Sequence, residues 1–200
     1  MSSDFERTLR RLKPDKRRLR LKPRQESALA FLGTRFVKPC PLLYDTTVYV
    51  DILQGRFPAA EEPLLRGADA WHSTVAESEL CSACALLDPA HNDTRDVIGQ
   101  IKAIIDRMPP HRTIAPDHEI WCDAGILAGA IARLQGIPRP DRRRILNDAL
   151  IFATARKHGY TVLTRNIIDF DFLQQLDPSG RVMFYRLPNT PTPFSRSPRQ

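Results

Sequence analysis

Four carboxylate residues, widely spaced along the chain, are the strongest chemical signal in the sequence. They are Asp45, Glu79, Asp148 and Asp169, and Asn166 lies close to the last of them. Carboxylates gathered in one cleft repel one another and raise each other's pKa values unless a cation offsets their charge. Oxygen ligands of this kind suit Mg²⁺ or Mn²⁺, which can polarise a phosphodiester and orient water for attack. The set therefore predicts a divalent metal site for phosphodiester hydrolysis, provided that the fold brings the acids together.

Alternating strand and helix patterns predict how these acids are positioned. An apolar strand ends at Asp45, and another strand over 160–164 precedes Asn166 and Asp169. Two further strands are predicted over 111–116 and 181–187. Helices are predicted over 47–54, 68–87, 93–107, 117–134 and from Asn147 or Asp148 to Gly159. This alternation predicts an α/β fold with a mostly parallel central sheet of four or five strands, flanked by helices.

The net charge of +7 is unevenly distributed. Residues 1–40 hold twelve Lys and Arg against four Asp and Glu, whereas residues 41–178 hold fourteen against nineteen. Basic ends on an acidic body indicate a polyanionic partner. We expect 1–40 to be a basic arm with little stable structure before Gln25, whether solvated, bound to phosphates or ordered on a partner protein. The folded domain is expected at 41–187 and a disordered tail at 188–200.

The sequence also indicates a compartment. It has no apolar run long enough to span a membrane, and no apolar segment follows the basic start as in a secretory signal. Four cysteines in 200 residues do not suggest a disulfide scaffold. We therefore expect a cytoplasmic protein without a membrane partner.

Four segments of the chain resemble the PIN domain family, most closely the VapC-type toxins of toxin–antitoxin pairs. They are Asp45-Thr46-Thr47, the stretch from Ser73 to Leu80, residues 147–155 and residues 164–170, and the resemblance covers about 41–187. It implies a PIN-like three-layer sandwich and a Mg²⁺- or Mn²⁺-dependent endoribonuclease acting on single-stranded RNA. It also implies a homodimer silenced by a cognate antitoxin protein. The long basic arm departs from the family pattern and could serve RNA binding or inhibitor docking.

The resemblance assigns roles by position. The three core acids of the family are matched by Asp45, Glu79 and Asp148. The fourth acid follows the strand over 160–164, where Asn166 occupies one usual place and Asp169 the other; we choose Asp169. Supporting hydroxyl positions are matched by Thr46 and Thr164. Glu77 is a rival to Glu79, but the spacing from Ser73 and the leucine at position 80 favour Glu79.

Basic and aromatic residues near these motifs leave alternatives open. The run Arg142-Arg143-Arg144 is either a solvated charge run or, together with Arg165, a set of contacts to RNA phosphates. Trp71 and Trp121 are expected in the core, with base stacking as the alternative. The pair Cys81 and Cys84 lacks a second pair of metal ligands, and the segment from His118 to Cys122 only half-resembles a zinc-binding helix.

Two other functions are compatible with the sequence. The first is a housekeeping RNA-processing or structure-specific nuclease of the same fold, targeted by the basic arm. The second is a non-catalytic RNA-binding module in which the acids bind no metal.

Overall fold

Five parallel strands form one sheet at the centre of the computed structural model, which describes residues 4–33 and 40–188. They are β1 (Leu42–Tyr44), β2 (Ala70–Ser73), β3 (Thr113–Ile114), β4 (Thr161–Thr164) and β5 (Arg181–Phe184). Their order across the sheet is β3-β2-β1-β4-β5, and every pairing is parallel. The predicted α/β architecture is confirmed.

Helices cover the sheet. They are α1 (Asp4–Leu12), α2 (Thr46–Leu53), α3 (Glu62–Arg66), α4 (Thr74–Leu86), α5 (Thr94–Ile105), α6 (His118–Gln135), α7 (Arg142–His158) and α8 (Ile167–Leu176). The longest two, α6 and α7, each end at a glycine with positive φ, Gly136 at 68° and Gly159 at 72°. Glycine is favoured there because it adopts this conformation without steric cost. No helix within 4–33 and 40–188 is long and apolar enough to cross a membrane.

The chain changes direction across the sheet between β1 and β4. From β1 it adds β2 and β3 on one side, and then it crosses to place β4 on the other side of β1. In the register of these two strands Tyr44 lies opposite Leu163, so both strands end at the same edge. Such a switch point leaves a crevice beyond the carboxyl ends of the strands, where ligands of open α/β sheets bind. Asp45 and Asn166 both follow strands that end there.

Two predicted helix starts are wrong, and both corrections concern the site. Residues 70–73, expected to be helical, form β2, and α4 begins only at Thr74 after Ser73, whose side chain accepts from the Val75 N–H at 3.2 Å. The pairing of β2 with β1 and β3 overrides local helix preference here. Helix α7 starts at Arg142 and not at Asn147 or Asp148, because the arginines continue the helix. Asp148 therefore lies inside the helix and is not its cap.

The basic arm is also more ordered than expected. Within it, α1 packs on α6, where Thr8 Oγ1 donates to Asp123 at 2.5 Å. At the far end, the Leu32 N–H donates to the Phe184 carbonyl at 2.7 Å, and the Phe184 N–H donates to the Ala30 carbonyl at 2.8 Å. The arm thus adds a short pairing to the open edge of β5. The expectation of little stable structure before Gln25 is wrong for α1, while residues 189–200 of the expected tail lie outside the described residues.

Acidic side chains of the body explain why the arm is held. Arg11 pairs with buried Asp123 at 2.6 Å and also contacts Asp177. Further along, the Arg24 Nε donates to buried Asp171 at 2.5 Å. Part of the positive charge of the arm therefore neutralises carboxylates of its own chain. These pairs could not be predicted from the sequence, because their members are more than one hundred residues apart.

Candidate active site

Asp45 occupies the switch point of the sheet. It follows β1 directly and is buried, and its backbone N–H donates to the Leu163 carbonyl of β4 at 3.0 Å. Its Oδ2 accepts hydrogen bonds from Thr47 Oγ1 and Thr164 Oγ1, each at 2.7 Å. The carboxylate is thus fixed by hydroxyl groups from both sides of the switch point.

Glu79 reaches the same edge from α4. Its Oε1 accepts from Asn147 Nδ2 at 2.7 Å, and its Oε2 accepts from the Thr46 hydroxyl. Because Thr46 follows Asp45 in the chain, this contact ties α4 to the end of β1. Glu79 lines the cavity described below, and Glu77 does not. The preference for Glu79 over Glu77 therefore agrees with its placement.

Asp148, Asn166 and Asp169 form a second group around one arginine. Asn166 Nδ2 donates to Asp148 at 3.2 Å and to Asp169 at 2.9 Å, so a single amide bridges the two carboxylates. Arg144 lies one helical turn before Asp148, 3.7 Å from it, and donates to Asp169. A cation of the chain itself therefore stands among the acids.

A cavity of about 610 Å³ joins the two groups. Its walls include three of the four predicted acids and several of the predicted supporting and RNA-binding residues: Asp45, Thr46, Glu79, Arg144, Asp148, Arg165 and Asn166. Asp169 is not on its wall but contacts Asn166 and Arg144, which are. Thr164 donates a hydrogen bond to Asp45. Arg142 donates to the Ile137 carbonyl, and Arg143 lines a different cavity. Residues that are far apart in sequence thus meet at one site.

Burial and mutual repulsion raise the pKa values of two of the acids. Burial raises the pKa of Asp45, and the charge of Glu79 adds to this, against the hydrogen bonds from Thr47 and Thr164. Burial also raises the pKa of Asp148 well above its ordinary value, with further contributions from Asp45, Asp169 and Glu79. Such a cluster favours any cation that enters it.

The donor set fits a hard divalent cation. The candidate ligands are carboxylate oxygens, and the amide and hydroxyl groups around them donate hydrogen bonds to these carboxylates. Oxygen ligands suit Mg²⁺ or Mn²⁺ better than soft metals. No three His, Cys, Asp or Glu residues of the described ranges form a ready-made ligand cage. Mg²⁺ keeps several waters and needs only one or two protein carboxylates, so an open arrangement of this kind is compatible with it.

One buried acid that supports the site escaped the sequence analysis. Asp51 of α2 is fully buried and accepts from Arg165 Nε at 2.6 Å, from the Tyr185 hydroxyl at 2.8 Å and from Arg56 at 2.9 Å. This clamp fixes Arg165, which lines the cavity. A signal was present, because Asp51 is the only charged residue in the sequence of α2.

The other sequence signals are placed away from the acids. All four cysteines are free. Trp71 is half-buried and stacks on Tyr160 with ring centroids 4.8 Å apart, which agrees with a packing role. Trp121, however, is 51% exposed, so the expectation that it belongs to the core is wrong. It lies on the outer side of α6, whose inner side carries Ile120 and Ala124.

Comparison with known proteins identifies the family of the chain. The sequence matches the PIN domain family over residues 42–171, which is more than half of the chain. That segment contains all four predicted acids. No curated protein matches the chain.

Several solved structures share the fold. VapBC2 from Rickettsia felis, bound to a promoter DNA fragment, aligns with a TM-score of 0.52 at 16% identity over 73% of this chain and 99% of that chain. DNA-bound VapBC from Salmonella typhimurium gives 0.52 at 18% identity over 72% and 98%. FitAcB from Neisseria gonorrhoeae gives 0.52 at 21% identity over 72% and 96%. At these identities the likeness concerns the fold.

Proposed function

Because the chain belongs to the PIN domain family, we propose that it is an endoribonuclease that uses Mg²⁺ or Mn²⁺ to hydrolyse single-stranded RNA. One observation carries the proposal: Asp45, Glu79 and Asp148 come from three distant segments and line one cavity at the switch point of the sheet. A purely structural role would not explain why mutually repelling carboxylates are gathered there.

The residues have distinct roles in this proposal. Asp45 and Asp148 would hold the ion directly, and Glu79 and Asp169 would add negative charge around it. When bound, the ion supplies charge neutralisation at the phosphate and lowers the pKa of a coordinated water. Thr46 holds Glu79 in place, and Thr47 and Thr164 do the same for Asp45. Arg165, fixed by Asp51, binds a phosphate oxygen of the substrate.

Cleavage by the purified protein tests the proposal. End-labelled single-stranded RNA is incubated with Mg²⁺ or Mn²⁺ and with the parent, Asp45→Asn or Asp148→Asn. We expect internal cleavage by the parent and a loss of at least about a hundredfold in both variants, the scale of removing one essential electrostatic group. Asp96→Asn, which changes an exposed acid on α5, is the matched control. Equal cleavage by the parent and Asp148→Asn would refute the metal role.

We further propose that the nuclease is the toxin of a toxin–antitoxin pair and that it acts as a homodimer. The likeness to structures of VapBC and FitAB complexes supports the antitoxin partner, and the homodimer follows from the resemblance to VapC-type toxins. Induced expression should arrest growth, and co-expression of a small neighbouring reading frame should relieve the arrest. Growth unaffected by the active parent enzyme would favour a housekeeping nuclease. Light scattering of the purified protein measures the number of subunits.

A further inference from the structure

A second cavity adjoins the acidic site. It measures about 640 Å³ and lies between α4, the start of α6 and the first half of α7. Glu79 and Arg144 line both cavities, so the two cavities adjoin at residues of the acidic site. We call this second cavity the Trp121 groove.

The walls of the groove combine apolar surface with an exposed aromatic ring. Trp121 is 51% exposed and Leu86 is 82% exposed, and both line the groove together with Val75 and Leu150. Large apolar side chains left open to water beside a polar site mark an interaction surface. Tryptophan offers a broad π-face, on which any nucleobase stacks.

A cation without a partner completes the groove. Of the three consecutive arginines, Arg142 donates to the Ile137 carbonyl and Arg144 donates to Asp169. Arg143 lines the groove and makes no hydrogen bond or ion pair within the part of the chain that the structure describes. It is exposed and free to bind an anion, and it lies next to Arg144 on α7, the helix that carries Asp148.

These features match one occupant. We propose that the Trp121 groove binds the nucleotide next to the scissile phosphate of single-stranded RNA, with its base stacked on Trp121 and its phosphate at Arg143. The inference rests on the proposed nuclease function and adds a substrate subsite to it. An aromatic face and a cation that line the same groove form a combination by which proteins bind unpaired nucleotides. A base held in a duplex cannot present its face to the ring, so the groove selects single strands.

Binding of an RNA oligonucleotide tests the groove separately from cleavage. A twelve-nucleotide oligoadenylate with a fluorescent end label is titrated into Asp148→Asn protein, which serves as the background that does not cleave. We expect Trp121→Ala to weaken binding by about tenfold, the scale of one lost stack, and Trp121→Phe to retain most of the affinity. Oligoadenylate should also quench tryptophan emission in the background protein and lose most of that effect in Trp121→Phe.

Matched controls separate the groove from general surface effects. Phe5 is 53% exposed on α1, so Phe5→Ala removes an equally exposed aromatic ring from another surface and should leave binding unchanged. Arg143→Gln should weaken binding several-fold and reduce its salt dependence, whereas Arg142→Gln should change it less. A blunt duplex of the same length should be insensitive to Trp121→Ala.

The outcomes distinguish this inference from the proposed function. If Trp121→Ala binds oligoadenylate as tightly as its background while the parent cleaves RNA, the groove proposal is refuted and the nuclease stands. If binding depends on Trp121 but the parent never cleaves, the groove stands as a site for single-stranded RNA, while the nuclease proposal and the placement beside a scissile phosphate fail. A change of subunit number in Trp121→Ala without any loss of RNA binding would assign the groove to a contact between copies, which also refutes the proposal.

Discussion

At the scale of single residues, the acids of the candidate site destabilise one another. Asp148 is buried beside Asp45, Asp169 and Glu79, and its pKa is raised because burial and these charges oppose ionisation. Arg144 offsets part of that repulsion from within the chain. Under the proposed function, a bound divalent ion would offset the same repulsion. Both residues give measurable consequences.

Asp148→Asn should stabilise the metal-free protein. The amide has the shape of the carboxylate without its charge, so the repulsion from the neighbouring acids disappears. We expect the unfolding midpoint at pH 7 to rise by a few degrees. Thermal unfolding in EDTA measures this. Adding Mn²⁺ should stabilise the parent and leave Asp148→Asn nearly unchanged; a lower midpoint for the variant in EDTA would contradict the prediction.

Arg144→Gln should tighten binding of Mn²⁺. The guanidinium competes with a metal ion for the charge of Asp148 and Asp169, and glutamine removes that competitor while keeping a helix-compatible side chain. We expect Mn²⁺ affinity to rise about three- to tenfold in isothermal titration calorimetry, from a change of roughly 1 kcal/mol in a partly exposed pair.

Arg142→Gln provides the control for that titration, because Arg142 contacts only a backbone carbonyl in the described residues. Its Mn²⁺ affinity should equal that of the parent. Weaker Mn²⁺ binding by Arg144→Gln would show that the arginine supports the metal site and does not compete with it.

At the scale of elements, one residue fixes the two long helices to each other. Asp117 caps α6 by accepting from the Ile120 N–H at 3.1 Å, and it also accepts from Lys157 in the last turn of α7 at 2.6 Å. Lys157 contacts Glu119 as well, at 2.7 Å. Because α7 carries Asp148, the cap of α6 contributes to the position of the site.

Asp117→Ala should destabilise the protein by about 1 kcal/mol at neutral pH, the usual cost of losing an N-cap. The hydrogen bond from Lys157 and then that from the Ile120 N–H lower the pKa of Asp117. Its charge-dependent stabilisation is therefore fully present above the unfolded pKa, about 3.9, and is lost as the pH falls through the lower folded value.

Urea unfolding at pH 7 and pH 3 measures this difference, which should be smaller at pH 3. Asp117→Asn keeps a capping oxygen and removes the charge, so it should lose less than Asp117→Ala at pH 7. A difference between parent and Asp117→Ala that grows toward pH 3 would contradict the assignment.

At the scale of the whole molecule, the basic arm packs against the acidic body and stabilises it. Its arginines meet Asp123, Asp171 and Asp177, and its end pairs with β5 at the edge of the sheet. Covering that edge also removes unpaired backbone groups on which another chain could add a strand. A substitution in the arm should therefore affect global stability and not only RNA affinity.

Arg11→Ala should lower the free energy of unfolding by about 2 kcal/mol. Breaking a buried ion pair costs roughly 3–5 kcal/mol, and the loss is smaller here because Arg11 is partly exposed and Arg156 also contacts Asp123 and Asp177. Chemical denaturation measures the change. Arg18→Ala, which removes an exposed arginine of the same arm, should change stability by less than about 0.5 kcal/mol. Equal effects of the two substitutions would argue against a stabilising role for the ion pairs of Arg11.

Local patterns predicted most of the strand–helix alternation, and the resemblance to the PIN domain family assigned the acids by position. The apolar run of β1 and the polar residues after it are adjacent in sequence, so Asp45 could be placed at a strand end without coordinates. The start of α7 and the existence of β2 were not accessible in this way. Each depends on what a segment packs against, and the four residues of β2 are too few to show a period.

The sequence by itself determined which residue types could bind a metal and the order of elements that presents them, because both depend on neighbours along the chain. Only the tertiary structure decided that Asp51 clamps Arg165, that Arg144 stands among the acids while Arg143 faces the Trp121 groove, and that the basic arm is neutralised by the body. The clamp and the neutralised arm depend on which charges approach one another across more than one hundred residues. In a folded chain that proximity is set by packing of the whole core, which no local pattern encodes.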